Sequence, residues 1–165
     1  MAKKIYVGAL ENPAQLEDGV TRVEYIETTK GRFGISAFYP SYTGGSIAYR
    51  FYLDVEILTS ATSGTYWLFG CGASSGSTSQ WGLYWENGYF KAAHGTSRTT
   101  IMQQTNIKGR YQIEFSDTIV KINNISITRT AADYAASSNI CSLLHNAQGT
   151  NTGYLSAKLY SCTIY

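Results

Sequence analysis

Asp54 and Glu56 stand two positions apart in segment 49–58. Paired carboxylates are what glycoside hydrolysis needs, one as acid and one as base or nucleophile. The segment alternates with a period of two, which marks a strand with one face in a core. Tyr49, Phe51, Leu53, Val55 and Ile57 share the apolar face; Arg50, Tyr52, Asp54, Glu56 and Leu58 share the other. Arg50 lies on the same face as both carboxylates, so the pair reads as a solvated face or a local ion pair, not as a catalytic dyad.

His94 and His145 invite comparison with a metal or nucleophile site built with Cys71 or Cys141. The spacings that hold zinc, such as Cys-x-x-Cys or His-x-x-x-His, do not occur. His94 falls on an apolar hairpin face and reads as a core or rim histidine. Cys71 and Cys162 read as small buried hydrophobes. A calcium site needs several hard oxygen ligands, and none of Asp18, Asp54, Asp117 and Asp133 sits in an Asp-x-Asp or Asp-x-Asn run. No metal and no cofactor are expected. The Ser/Gly stretch 72–80 lacks the GxxxxGK[ST] phosphate cradle and reads as a long hairpin connection.

Tyrosines are the remaining candidates. A second clear unit is a hairpin about Asn87-Gly88, a dipeptide that favours a two-residue turn with positive φ at both positions. That turn pairs Glu86 with Tyr89, Trp85 with Phe90, Tyr84 with Lys91, Leu83 with Ala92 and Trp81 with His94. One face then carries Trp81, Leu83, Trp85, Phe90, Ala92 and His94. The other, predicted to be wet, carries Tyr84, Glu86, Tyr89 and Lys91. Together with Tyr52 these residues form the candidate ligand surface. Tyrosine combines apolar area with a polar tip, which suits sugar stacking and protein contact alike. A Tyr-rich sheet surface with no specific ligand fits the same pattern.

The elements that must position these residues are strands. The chain has 165 residues, a net charge of +2, Tyr 14, Gly 16, Pro 2, and only 15% charged residues. Ser (17) and Thr (18) supply the polarity instead. Such a composition favours pleated sheet. Hydrophobic residues make up 44%, which argues against disorder. A charge near zero with no basic block speaks against nucleic-acid binding. No apolar run is long enough for a membrane-spanning helix, and the N-terminus lacks a signal-peptide pattern. The three cysteines are too scattered for a disulfide framework and read as reduced thiols of a protein made in a cytosol.

Residues 66–71 read as a central strand. Turns at Ser116-Asp117 and Asn123-Asn124 make 111–128 a meander. Two-residue loops at both turns pair Tyr111 with Ile122, Ile113 with Val120, Ile122 with Ile125 and Val120 with Ile127, all on one face. Segments 140–144 and 154–164 add strands, for about ten in all, and 130–138 reads as a loop or one helical turn. Turn signals at this spacing predict an all-β, two-sheet antiparallel β-sandwich. Residues 1–20 are expected to be an N-terminal arm and linker, and 21–165 the sandwich.

Several short motifs carry a family resemblance. They are Val23-Glu24-Tyr25-Ile26-Glu27-Thr28, Leu68-Phe69-Gly70 followed by Trp81-Gly82-Leu83, Arg110-Tyr111-Gln112-Ile113-Glu114-Phe115, Val120-Lys121-Ile122-Asn123-Asn124, and the ending Ala157-Lys158-Leu159-Tyr160-Ser161-Cys162-Thr163-Ile164-Tyr165. In order and spacing this set resembles concanavalin A-like, laminin G-like jelly-roll domains common in bacteriophage tail and bacterial surface proteins. Sandwich hydrolases of that fold use a denser Glu-x-Asp-x-x-Glu pattern, absent around Asp54. The opening Lys3-Lys4-Ile5-Tyr6-Val7-Gly8 resembles segments that begin many phage tail and baseplate proteins, which implies an assembly anchor at Lys3, Lys4, Ile5, Tyr6 and Val7. The chain departs from the family at Lys30-Gly31-Arg32-Phe33-Gly34-Ile35 and at Tyr165, where relatives often run into a further strand.

The resemblance implies a non-enzymatic tail-associated structural or adhesion protein in the virion, assembled in the host cytoplasm. The partners it implies are other tail proteins, a second copy of the chain, or cell-surface carbohydrate. A bacterial carbohydrate-binding module is the alternative, and a glycosidase of the same fold a third.

Overall fold

The computed structural model describes residues 5–7, 21–23, 26–28, 33–35, 50–71, 80–129, 141–144 and 155–164. The linker 9–20, the connection 72–79 and segment 130–138 lie outside the described residues, as do Lys3 and Lys4. Fourteen strands occur among the described residues. The first seven are β1 (Ile5–Val7), β2 (Thr21–Val23), β3 (Ile26–Thr28), β4 (Phe33–Ile35), β5 (Phe51–Ile57), β6 (Thr65–Cys71) and β7 (Trp81–Glu86). The others are β8 (Tyr89–His94), β9 (Ser97–Gln103), β10 (Gly109–Phe115), β11 (Ile119–Ile122), β12 (Ile125–Thr128), β13 (Cys141–Leu143) and β14 (Ala157–Ile164). No helix among the described residues is long and apolar enough to cross a membrane.

The chain is an all-β sandwich of two six-stranded antiparallel sheets. The first sheet runs β12-β11-β10-β5-β14-β3 and the second β4-β13-β6-β7-β8-β9. A separate parallel ladder joins Ile5–Val7 to Thr21–Val23.

Alternation builds the core. In β5, Phe51, Leu53, Val55 and Ile57 are buried while Tyr52, Asp54 and Glu56 are half-exposed. Tyr111, Ile113 and Phe115 of β10 face the same way and are buried. The second sheet answers with Phe69, Trp81, Leu83, Trp85 and Phe90. Aromatic rings knit the two layers: Phe51 stacks on Phe69 at 4.3 Å, and Phe115 meets Phe69 and Trp81 edge-on at 5.0 and 4.9 Å. Full burial of each such ring stabilises by about 1.5–3 kcal/mol.

The β7–β8 hairpin has the register expected from its turn, from Glu86↔Tyr89 to Trp81↔His94. Asn87 and Gly88 both take positive φ, at 47° and 91°. The β11–β12 turn likewise pairs Ile122 with Ile125 and Val120 with Ile127.

The β10–β11 turn departs from expectation. Ile113 pairs with Ile122 and Phe115 with Val120, a shift of two residues. Ser116 explains it. Its backbone N–H donates to the Ile119 carbonyl at 2.8 Å, and its hydroxyl accepts the Ile119 N–H at 3.0 Å. Three residues, not two, therefore separate the strands, and Ser116 and Asp117 are drawn inside. A shift of two keeps the side-chain parity, so the apolar face still points into the core.

Candidate functional site

The outer face of the first sheet gathers the polar side chains that the alternation turns away from the core. Register sets them in rows across the strands. One row is Arg110, Glu56, Lys158 and Glu27, the next Gln112, Asp54 and Ser161, and the third Lys121, Glu114, Tyr52 and Thr163. Directly opposed side chains on adjacent strands lie close enough to interact.

Arg110 organises the first two rows. Its Nε and Nη2 donate to the two Asp54 carboxylate oxygens at 3.0 and 3.1 Å. The guanidinium also lies 3.9 Å above the centre of the Tyr160 ring. The Tyr160 hydroxyl donates to Glu56 Oε2 at 2.9 Å, and that bond raises the phenol above its ordinary pKa. Exposed ion pairs contribute only about 0–1 kcal/mol, so the cluster matters more for the arrangement it holds than for stability. Asp54 and Glu56 thus meet a local ion pair and a tyrosine. The arginine is Arg110 of the neighbouring strand, while Arg50 precedes β5 and is exposed.

Tyr160 reaches this cluster through a bulge. Leu159 pairs with Val55 and Ser161 with Asp54, leaving Tyr160 as the extra residue. Bulges re-aim side chains in this way. Sequence reasoning missed Tyr160 and Arg110. A signal was present: the apolar positions of this strand switch from Ala157 and Leu159 to Cys162 and Ile164, a break in parity. Cys162 packs against the core, and burial pushes its thiol up to about 11.

Beside Arg110 lies a groove of about 380 Å³, lined mainly by Tyr52, Asp54, Gln112, Glu114, Lys121 and Ser161, with the Asn123-Asn124 turn. The Tyr52 hydroxyl donates to Glu114 Oε1 at 3.1 Å. Asn123 is occupied by the backbone: its Oδ1 accepts the Gln112 N–H at 2.9 Å. Carboxylates accept, an ammonium donates, and an amide does both. The groove therefore offers both halves of a hydrogen-bonding match to hydroxyls.

The hairpin surface is the wet platform expected at Glu86, Tyr89 and Lys91 but not at Tyr84. Tyr84 lies on the predicted face but is only 6% exposed. It stacks on Trp67 at 4.8 Å, and burial raises its phenol pKa. Two opposed glycines permit this, because Trp67 lies over Gly70, which pairs with Gly82. Stacking keeps both rings' apolar area from water. Glu86 and Lys91 pair with each other at 2.6 Å, which raises the lysine pKa. Tyr89 is 39% exposed.

His94 is a core histidine, 0% exposed and stacked on Phe115 at 4.8 Å. Asp117 Oδ1 lies 3.8 Å from its Nε2. No group of three potential metal ligands occurs among the described residues. The side chains of Cys71, Cys141 and His145 lie outside the described residues, as do those of Ile5, Tyr6 and Val7.

No protein-family model matches the sequence, and no curated protein matches it. Solved structures share its fold. Trypanosoma rangeli sialidase in complex with 2,3-difluorosialic acid, a covalent intermediate, matches over 71% of this chain with a TM-score of 0.51 at 11% identity. The same sialidase in complex with 2-keto-3-deoxy-D-glycero-D-galacto-2,3-difluoro-nononic acid matches over 71% of the chain, again at 0.51 and 11%. The match takes in 20% of the sialidase chain in each case, about a fifth of its length. At such identity the likeness is one of fold.

Proposed function

We propose that this protein is a non-enzymatic adhesion module, of the kind that bacteriophage tails carry, and that the outer face of its first sheet binds carbohydrate on a cell surface. One observation supports the reading above the others. The groove beside Arg110 places Tyr52 among Asp54, Gln112, Glu114 and Lys121, an open surface of donors and acceptors suited to a polyhydroxyl ligand. Small-molecule sites need a few such polar groups in fixed positions. The register rows and the Arg110–Asp54 pair hold them there. The site is thus moved from the hairpin, where Tyr84 is covered, to Tyr52 and its neighbours.

A glycan array tests this. Retained glycans are expected for the intact chain, with binding weakened about tenfold or more, roughly 1.4 kcal/mol, in Tyr52→Ala and Gln112→Ala. An array without hits, or hits indifferent to both substitutions, refutes the site.

The tail association rests on the resemblance of the opening segment, and residues Lys3, Lys4, Ile5, Tyr6 and Val7 are assigned to the attachment. Ile5–Val7 pairs with β2 in a ladder separate from both sheets. Removing residues 1–8 is therefore expected to leave the sandwich folded and its glycan binding intact while abolishing incorporation into tail particles. Normal incorporation of the truncated chain overturns the anchor.

A further inference from the structure

We infer that the carbohydrate bound by this groove is uncharged and presents a vicinal diol, and that sialylated or other acidic glycans are rejected. The inference rests on the glycan-binding reading and concerns the same site.

Charge comes first. The ionisable side chains lining the groove are two carboxylates, Asp54 and Glu114, one ammonium, Lys121, and the phenol of Tyr52. An anionic sugar is usually held by a guanidinium fork, whose two parallel N–H donors match a carboxylate. Arg110 borders the groove, but its Nε–Nη2 edge is engaged by both oxygens of Asp54 and its face by Tyr160. Lys121 stands opposite Glu114 in the register, and the groove holds two carboxylates against this one ammonium. A ligand carboxylate entering here meets Asp54 and Glu114 as like charges, and such juxtaposition works against a wrong partner.

Hydrogen bonding comes second. A carboxylate oxygen has more than one lone pair. Asp54 can therefore accept from a hydroxyl while it holds Arg110. The Tyr52 hydroxyl engages Glu114 through Oε1. The Gln112 side chain is exposed and makes no hydrogen bond among the described residues. It stands directly opposite Asp54 in the register. Two acceptors in adjacent rows, with an amide beside Asp54 in its own row, fit adjacent ring hydroxyls, each of which both donates and accepts.

The test is a titration of the intact chain with matched probes. These are uncharged galactose-terminated oligosaccharides, the same oligosaccharides capped with sialic acid, and the uncharged set after periodate cleavage of its vicinal diols. A broader panel of uncharged oligosaccharides covers other sugars. The uncharged set is expected to bind, and the sialylated set about tenfold or more weaker, a gap of roughly 1.4 kcal/mol. Periodate treatment is expected to abolish binding. Glu114→Gln is expected to narrow the gap between uncharged and sialylated probes, because it removes a repelling charge and keeps the shape. Equal or tighter binding of the sialylated set overturns the inference and leaves the glycan reading standing. Undiminished binding after periodate overturns it as well. Failure of every carbohydrate to bind overturns both.

Discussion

Gly82→Ala is expected to destabilise the protein by about 3–5 kcal/mol, the range reserved for substitutions with a specific steric cause. Gly82 takes a φ of +141°, in a region that L side chains rarely adopt. A Cβ there would stand 2.3 Å from the Phe69 carbonyl oxygen and 2.6 Å from Gly70 Cα. Both are backbone atoms of the neighbouring strand, so no side chain can swing aside. Relief requires β7 to part from β6 where Gly70 pairs with Gly82. Trp81 and Leu83 flank the site and are fully buried, so a local parting also opens the core. The outer face suffers too, because Trp67 and Tyr84 stack across this glycine pair. Gly88→Ala provides the comparison. Its φ is +91°, but an added Cβ would approach nothing nearer than Thr105 Cα at 4.0 Å. It should cost only the left-handed strain, about 1–2 kcal/mol. Denaturant unfolding of both variants measures the contrast. Equal midpoints for the two would refute the close-packed glycine pair.

What was legible in the sequence follows from where side-chain parity is unbroken. β5 alternates without interruption, and its buried and half-exposed faces match the reading residue by residue. Asn87-Gly88 leaves one register open, because few residues besides these accept positive φ at two successive positions. The Ser116 loop was misjudged by two residues, since a serine hydroxyl can cap a wider loop as easily as start a tight one. That error was harmless to the face assignment. Tyr84 shows a different failure. Parity placed it on the outer face correctly, but exposure depends on Trp67, a residue of another strand that an all-apolar segment gives no reason to aim outward. Arg110 and Tyr160 became visible only through pairing over long sequence separations, together with a bulge. The candidate site was therefore half legible. Tyr52 and Asp54 share one face of β5 by alternation alone, whereas Gln112, Glu114 and Ser161 come from strands whose pairing with β5 no local signal specifies.

Acidification is expected to weaken the fold through His94, by about 2 kcal/mol between pH 7 and pH 5. The folded protein holds this imidazole at a pKa of about 2, against an ordinary value of 6.5. Burial is the main cause, and the Arg129 and Arg98 guanidiniums add to it, while a backbone hydrogen bond at Ser116 opposes it. Asp117, 3.8 Å from Nε2, also pulls toward the charged form. Desolvation wins because the ring is fully enclosed, stacked on Phe115 with Trp81 at its edge. Below pH 6.5 the unfolded chain binds a proton at this position and the folded chain does not. Stability therefore rises with pH across the window from about 2 to 6.5, by at most about 1.4 kcal/mol per unit for one group. The contribution is complete above pH 6.5 and shrinks as pH falls. Carboxylates begin to titrate below pH 5, so the interval from pH 7 to pH 5 excludes them, and the comparison with His94→Gln separates His94 from the second histidine, His145. Unfolding free energies measured across it should fall steeply for the native chain and much less for His94→Gln, which cannot take up the proton when unfolded. A variant as pH-sensitive as the native chain would show that His94 is not the group that titrates.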